Sequence, residues 1–186
     1  MVSPRAPCPE RSDDDTRPPV AVVGAGNWLI FQDRLGPRVI ERIAGRYGPE
    51  VEIFNAGSAG LALLDCIAGQ QLMLIVDACA LGGQPGEIHQ MEYDPDAPTA
   101  TAGASVHQLG PLETLAVAKH LYPDQLPLRI LLILVETQGI DDATEDEACR
   151  QVVSLLDREV ERWRSRQAQQ ADRACSTKTQ ATETPL

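Results

Sequence analysis

Two apolar runs govern what this chain can become. Leu72–Val76 (LMLIV) and Ile130–Val135 (ILLILV) contain no polar residue, and a strand written this way must be covered on both faces, because successive side chains point to opposite sides of a sheet. Val20–Val23 is a shorter run of the same kind. Between these runs the period changes. Leu35, Val39, Ile40, Ile43 and Tyr47 recur at helical spacing, and Leu61–Ala68 and His107–Leu121 read as further helices. Val51, Ile53 and Phe54 form a second strand, and Glu87–Glu92 alternates as another after a Gly-Gly-Gln-Pro-Gly turn. The last strand is expected over Leu128–Val135, followed by an amphipathic helix over Glu145–Arg166 with Val152, Leu156, Val160 and Trp163 on one stripe. Strands alternating with helices predict an α/β fold in three layers, helices on both faces of a mostly parallel five-stranded sheet.

A length of 186 residues with 43% hydrophobic content suits one core. The single domain is expected over residues 19–167. Residues 1–18, rich in Pro, Asp and Arg, and 168–186, a polar run of Gln, Thr, Ser and Ala, are expected to be disordered tails, since neither buries enough apolar surface to offset its ordering entropy. A net charge of -11 would repel phosphates, so a nucleic-acid partner is not expected. No run approaches the roughly 20 apolar residues that span a bilayer, and the start MVSPRAPCPERSDDD has no signal-like apolar region. The 5 cysteines, Cys8, Cys66, Cys79, Cys149 and Cys175, are odd in number and lack a Cys-x-x-Cys spacing, which fits reduced thiols in the cytoplasm. A cytoplasmic monomer is the expectation.

In such sheets ligands gather where the strands end at their carboxyl side. Three polar features fall there by topology: Asp33 after the glycine loop that follows the first strand, Asp77 directly after LMLIV, and His107 at the end of the long loop Asp94–Ser105. Two carboxylates and an imidazole suit a borderline divalent metal such as nickel or zinc. Each has a structural reading too. Asp33 suits the first turn of a helix, Asp77 can cap a neighbouring turn, and His107 can cap a helix; on composition His89 or His120 serves as well as His107.

The loop Gly24-Ala25-Gly26 suggests a phosphate cradle, and its surroundings deny it. A dinucleotide fingerprint needs a third glycine where the helix begins and an acid ending the second strand; here Asn27-Trp28-Leu29-Ile30-Phe31 intervenes and Asn55 stands at the strand end. No Gly-Lys-Ser or Gly-Lys-Thr follows. The glycines more simply permit a tight turn.

GAGNWLIFQDRLGPRV, then NAGSAGLALLD, then LIVDA with GGQPGEI, then SVHQLG, resembles in that order the hydrogenase maturation proteases, endopeptidases that trim the C-terminus of the large subunit of nickel-iron hydrogenases. The resemblance spans about Val20 to Val135. It implies a phosphorylase/hydrolase-like fold with a twisted sheet, and it carries the family's site residues onto Asp33, Asp77 and His107. It also implies that nickel arrives with the substrate precursor, so that a precursor without metal offers those three residues no partner. The loop Asn55–Gly60 would line the docking cleft. Where the family has an acidic pair followed by a small residue, this chain reads Gln32-Asp33-Arg34, and the segment after the fifth strand, VETQGIDDATED, lacks a proline. Two other readings remain open: a docking chaperone for the precursor that does not cut, supported by Gln32-Asp33-Arg34, and a small-phosphate or nucleoside enzyme, opposed by the two acids at the strand edge.

Overall fold

The computed structural model describes residues 17–58, 60–97 and 110–180. Five strands form one sheet: β1 Val20–Ala25, β2 Val51–Gly57, β3 Leu72–Cys79, β4 Ile88–Glu92 and β5 Ile130–Glu136. Their order is β2-β1-β3-β5-β4. The first four in that order run parallel, and β4 lies antiparallel on the edge beside β5. The helices are α1 Leu35–Arg42, α2 Ala62–Cys66, α3 Pro111–Leu121 and α4 Asp142–Gln180.

The apolar runs occupy the middle of this sheet for the reason anticipated. Val20 to Val23 and Met73 to Val76 are wholly excluded from solvent, and the period of two divides them between two helical layers. Ala21, Val23, Met73, Ile75, Ile130 and Leu132 pack with Leu63, Cys66, Leu115 and Ala118 of α2 and α3. The alternate residues of β1 face α1. A Cβ on Gly24 would stand 2.4 Å from Ile40 Cγ1 and 2.6 Å from the Gly36 carbonyl oxygen, so Gly24 is there to let strand and helix touch. The α/β fold with a five-stranded, mostly parallel sheet is therefore as the sequence implied.

Several boundaries differ: α4 begins at Asp142 and not Glu145, β5 at Ile130 and not Leu128, and three further differences have a local reason. The helix expected to reach Tyr47 stops at Arg42, and Gly45 takes a φ of +72°, a conformation that ends a helix. The helix expected from His107 begins at Pro111, where Gly110 is extended as its N-cap and proline suits the first helical position; residues 98–109 lie outside the described residues. The helix expected to end at Arg166 continues to Gln180, which corrects the expectation of an unstructured stretch from 168. Within the expected tail 168–186, the stretch 168–180 contains no Gly or Pro and many good helix formers, Ala, Gln, Arg and Lys.

The chain resolves into two compact units, residues 1–153 and 154–186. The first holds the whole sheet together with Asp33 and Asp77. The second is the C-terminal part of α4, where Arg162 pairs with the buried Glu159 one turn away at 2.5 Å. Among the described residues no helix is long and apolar enough to cross a membrane.

Candidate active site

Asp33 is presented by a loop whose every turn is hydrogen-bonded. Gly26 takes a φ of +127°, open only to glycine at low cost, and a Cβ there would lie 2.0 Å from the Asp33 carbonyl oxygen. Beyond this pivot the Asn27 N–H donates to Asp33 Oδ2 at 2.8 Å. The Asn27 side chain accepts from the Leu29 N–H at 2.9 Å, and the Asp33 N–H donates to the Ile30 carbonyl at 2.9 Å, closing the 3-10 turn Phe31–Asp33. The glycine loop thus folds back to hold the acid. The two amides that a phosphate cradle would use first are already engaged, the Gly26 N–H with the Gly57 carbonyl at 2.9 Å and the Asn27 N–H with Asp33.

Asp77 sits inside β3 rather than just beyond it, two residues before the strand ends. It shares a sheet face with Met73 and Ile75, the face covered by α2 and α3. Its Oδ1 accepts the Ala78 N–H at 2.9 Å. Burial pushes its carboxyl from 3.8 up to about 7; the Ala78 N–H opposes that shift and the nearby charge of Asp33 adds to it. The fold therefore brings Asp33 and Asp77 within electrostatic reach at the carboxyl edge of the sheet. A cation received between them would relieve both the desolvation and the repulsion. His107 lies outside the described residues.

Thr137, just past β5, is the support that sequence reading missed. Buried, it donates its hydroxyl to the Gln32 carbonyl at 2.6 Å and its N–H to the Cys79 carbonyl at 3.0 Å, so one residue ties the turn carrying Asp33 to the strand carrying Asp77. In sequence it is a single threonine in VETQGID, 105 residues from Gln32, with no local signal of that duty.

The departure at Arg34 has a structural explanation. Its guanidinium turns away from Asp33 and forks onto Glu145 at 2.7 and 3.1 Å, with Asp142 at 2.8 Å and the Phe31 ring beneath it at 4.2 Å. Beside the pair of acids, Trp28, Leu29, Ile30 and Phe31 stand exposed, Leu29 by 90%. Four adjacent apolar side chains in solvent next to a carboxylate mark an interaction surface.

The family model described as hydrogenase maturation protease matches residues 37–162. The hydrogenase expression/formation protein HupD of Thiocapsa roseopersicina is 30% identical over 129 residues, a match covering 67% of this chain but only 57% of that relative's length. The hydrogenase 2 maturation protease of Escherichia coli K12 is 27% identical over 149 residues, covering 74% of this chain and 90% of its own. Among solved structures, the hydrogenase maturating endopeptidase HybD from Escherichia coli superimposes with a TM-score of 0.59 and 26% identity, covering 75% of this chain and 93% of the other.

Proposed function

The chain belongs to the hydrogenase maturation protease family, and on that footing we propose that it is an endopeptidase that removes a C-terminal peptide from the nickel-loaded precursor of a nickel-iron hydrogenase large subunit. Asp33, Asp77 and His107 read the nickel, which is cargo of the precursor. The observation that carries this reading is Asp77. A half-buried carboxyl near the end of a strand, pushed up to about 7 by desolvation with the charge of Asp33 adding to the shift, is unfavourable when ionised in the isolated protein and becomes favourable when a cation is delivered.

The reaction has a simple physical order. The exposed segment Trp28–Phe31 takes hold of the precursor, and the two carboxylates and the imidazole bind its metal. That coordination fixes the scissile bond relative to the sheet edge, converting an encounter into an oriented complex. A precursor lacking nickel docks without that orientation and is left uncut. The metal, once held, also polarises the neighbouring peptide carbonyl or activates a water. The protein acts as a monomer in the cytoplasm, on a protein partner and not on nucleic acid.

The docking-chaperone alternative rested on Gln32-Asp33-Arg34 as a damaged site. Arg34 is engaged with Glu145, which argues against that cation disabling Asp33; the Gln32 departure is what still favours the docking reading. The small-phosphate alternative rested on the glycine loop, whose amides are already bonded to Asp33 and to Gly57.

The test is the intact mass of the large subunit made with its metal-insertion machinery and either the wild-type protein or Asp77→Asn. Loss of a C-terminal peptide only with wild type and only in nickel-replete cells is the expected result. A stable complex with an uncut precursor would replace the protease reading by the docking one.

A further inference from the structure

A second cluster of metal-binding donors stands one pleat away from Asp77. Cys79 is the last residue of β3 and pairs across the ladder with Glu136, the last residue of β5. His89 lies on β4, opposite Leu134 of β5. Leu134, like Ile130 and Leu132, packs on the face covered by α2 and α3, and the period of two puts Glu136 on that face, with Cys79 following Met73 and Ile75. The topology therefore aims three side chains from three adjacent strands at one place, and one donor atom from each lies within 4.8 Å of the other two.

The cluster is not a surface accident. Glu136 is fully buried. The Leu81 and Gly83 N–H groups donate to its Oε2 at 2.7 and 3.1 Å and the Gln138 N–H to its Oε1 at 3.3 Å. These bonds fix the direction of the carboxylate, and its Oε1 keeps room for a further partner. His89 Nε2 is buried and has no hydrogen-bond partner. An imidazole nitrogen in that position is an unmet demand. A Cβ on Gly83 would come within 3.4 Å of that nitrogen and 2.6 Å of Glu87 Oε2, so the glycine keeps the space beside His89 clear and a further carboxylate is close by.

We propose that Cys79, His89 and Glu136 form a metal site of this chain's own, separate from the one that reads the substrate's nickel, for a borderline divalent cation of the zinc class. One thiolate, one imidazole and one carboxylate are donors that zinc and cobalt accept in tetrahedral geometry, with the fourth position left to water or Glu87. The thiol proton passes to solvent on binding. An ion there staples the antiparallel edge strand β4 and the loop 80–87 to the ends of β3 and β5, two residues from Asp77.

Cobalt(II) is the probe, titrated into the metal-stripped full chain. Wild type is expected to develop one equivalent of a thiolate-to-cobalt charge-transfer band with the visible bands of a tetrahedral ion. The band is lost in Cys79→Ser, weakened in His89→Gln, and retained in the double variant Asp33→Asn/Asp77→Asn. Zinc is expected to raise the unfolding temperature of wild type and not of His89→Gln, which replaces an Nε2 that has no hydrogen-bond partner in the metal-free protein; this readout serves if Cys79→Ser fails to fold. Absence of a thiolate band in wild type, or a band indifferent to Cys79→Ser, would overturn the site. A band lost in the Asp33/Asp77 double variant would assign the metal to the acid pair instead. None of these outcomes depends on whether a hydrogenase precursor is cut.

Discussion

Arg34 and Glu145, 111 residues apart, form a two-pronged ion pair at 2.7 and 3.1 Å in which the carboxylate is almost wholly buried. Arg38 reaches the same carboxylate, and Arg42 reaches Asp146 one residue on. The cation beside the candidate nickel-binding acid therefore belongs to the joint between α1 and the first turns of α4. Arg34→Ala is expected to destabilise the fold by about 2 kcal/mol in urea unfolding, less than for a wholly orphaned buried charge because Arg38 remains. Arg34→Lys is expected to recover only part of the loss, since an ammonium does not fork onto both carboxylate oxygens. Cleavage per folded molecule should be unchanged in both; a collapse of turnover at intact stability would give Arg34 a role in the site itself.

Asp77→Asn should stabilise the protein while ending its activity. The carboxyl titrates at its ordinary 3.8 when unfolded and at about 7 when folded, so the folded state holds its proton more firmly. Below about pH 4 burial of the neutral group costs nothing extra; as pH rises from 4 to 7 the unfolded state ionises freely and the folded state does not, and stability falls. At pH 8 the asparagine variant is expected to be more stable by about 3 kcal/mol, a shift of that size allowing for partial solvent access. Thermal unfolding of both proteins at pH 4, 6 and 8 measures it. Equal pH slopes would mean that Asp77 is not the group that titrates.

Two glycines with positive φ should respond very differently to alanine. Gly45 (φ +72°) has no atom within 4 Å of its added Cβ, and Gly26 (φ +127°) has the Asp33 carbonyl oxygen 2.0 Å away. Gly45→Ala is expected to cost about 1 kcal/mol, the backbone penalty alone. Gly26→Ala adds a collision with the acid-bearing turn and is expected to cost about 3 kcal/mol or more. Precursor cleavage should survive the first change and fail in the second even at temperatures where the variant remains folded.

Leu29→Asp tests the exposed loop. A side chain 90% in solvent contributes little to folding, so stability should stay within about 0.5 kcal/mol of wild type. If the segment Trp28–Phe31 seizes the precursor, KM should rise by about tenfold, as for the loss of one apolar anchor, with kcat little altered. An unchanged KM would move the docking surface elsewhere.

Local chemistry in the sequence was enough for the architecture and for placing Asp33 and Asp77 toward one edge of the sheet. LMLIV and ILLILV bury both faces of a strand whatever else surrounds them, and the alternation with helical periods points to a parallel sheet whose carboxyl ends collect loops; Asp77 stood out as the acid directly after an apolar run and Asp33 as the acid after the loop that leaves β1. His107, outside the described residues, keeps only the support of sequence. The length of α4 was misjudged because polar composition alone does not separate a solvated helix from a tail. Tertiary structure decided the rest. Thr137 joins Gln32 to Cys79, Arg34 turns to Glu145, and Cys79, His89 and Glu136 meet at one point only because strands far apart in the chain become neighbours in a fixed register. Each of these is a long-range contact between single residues, set by strand order and by which face a side chain takes, and no short-range periodicity records it.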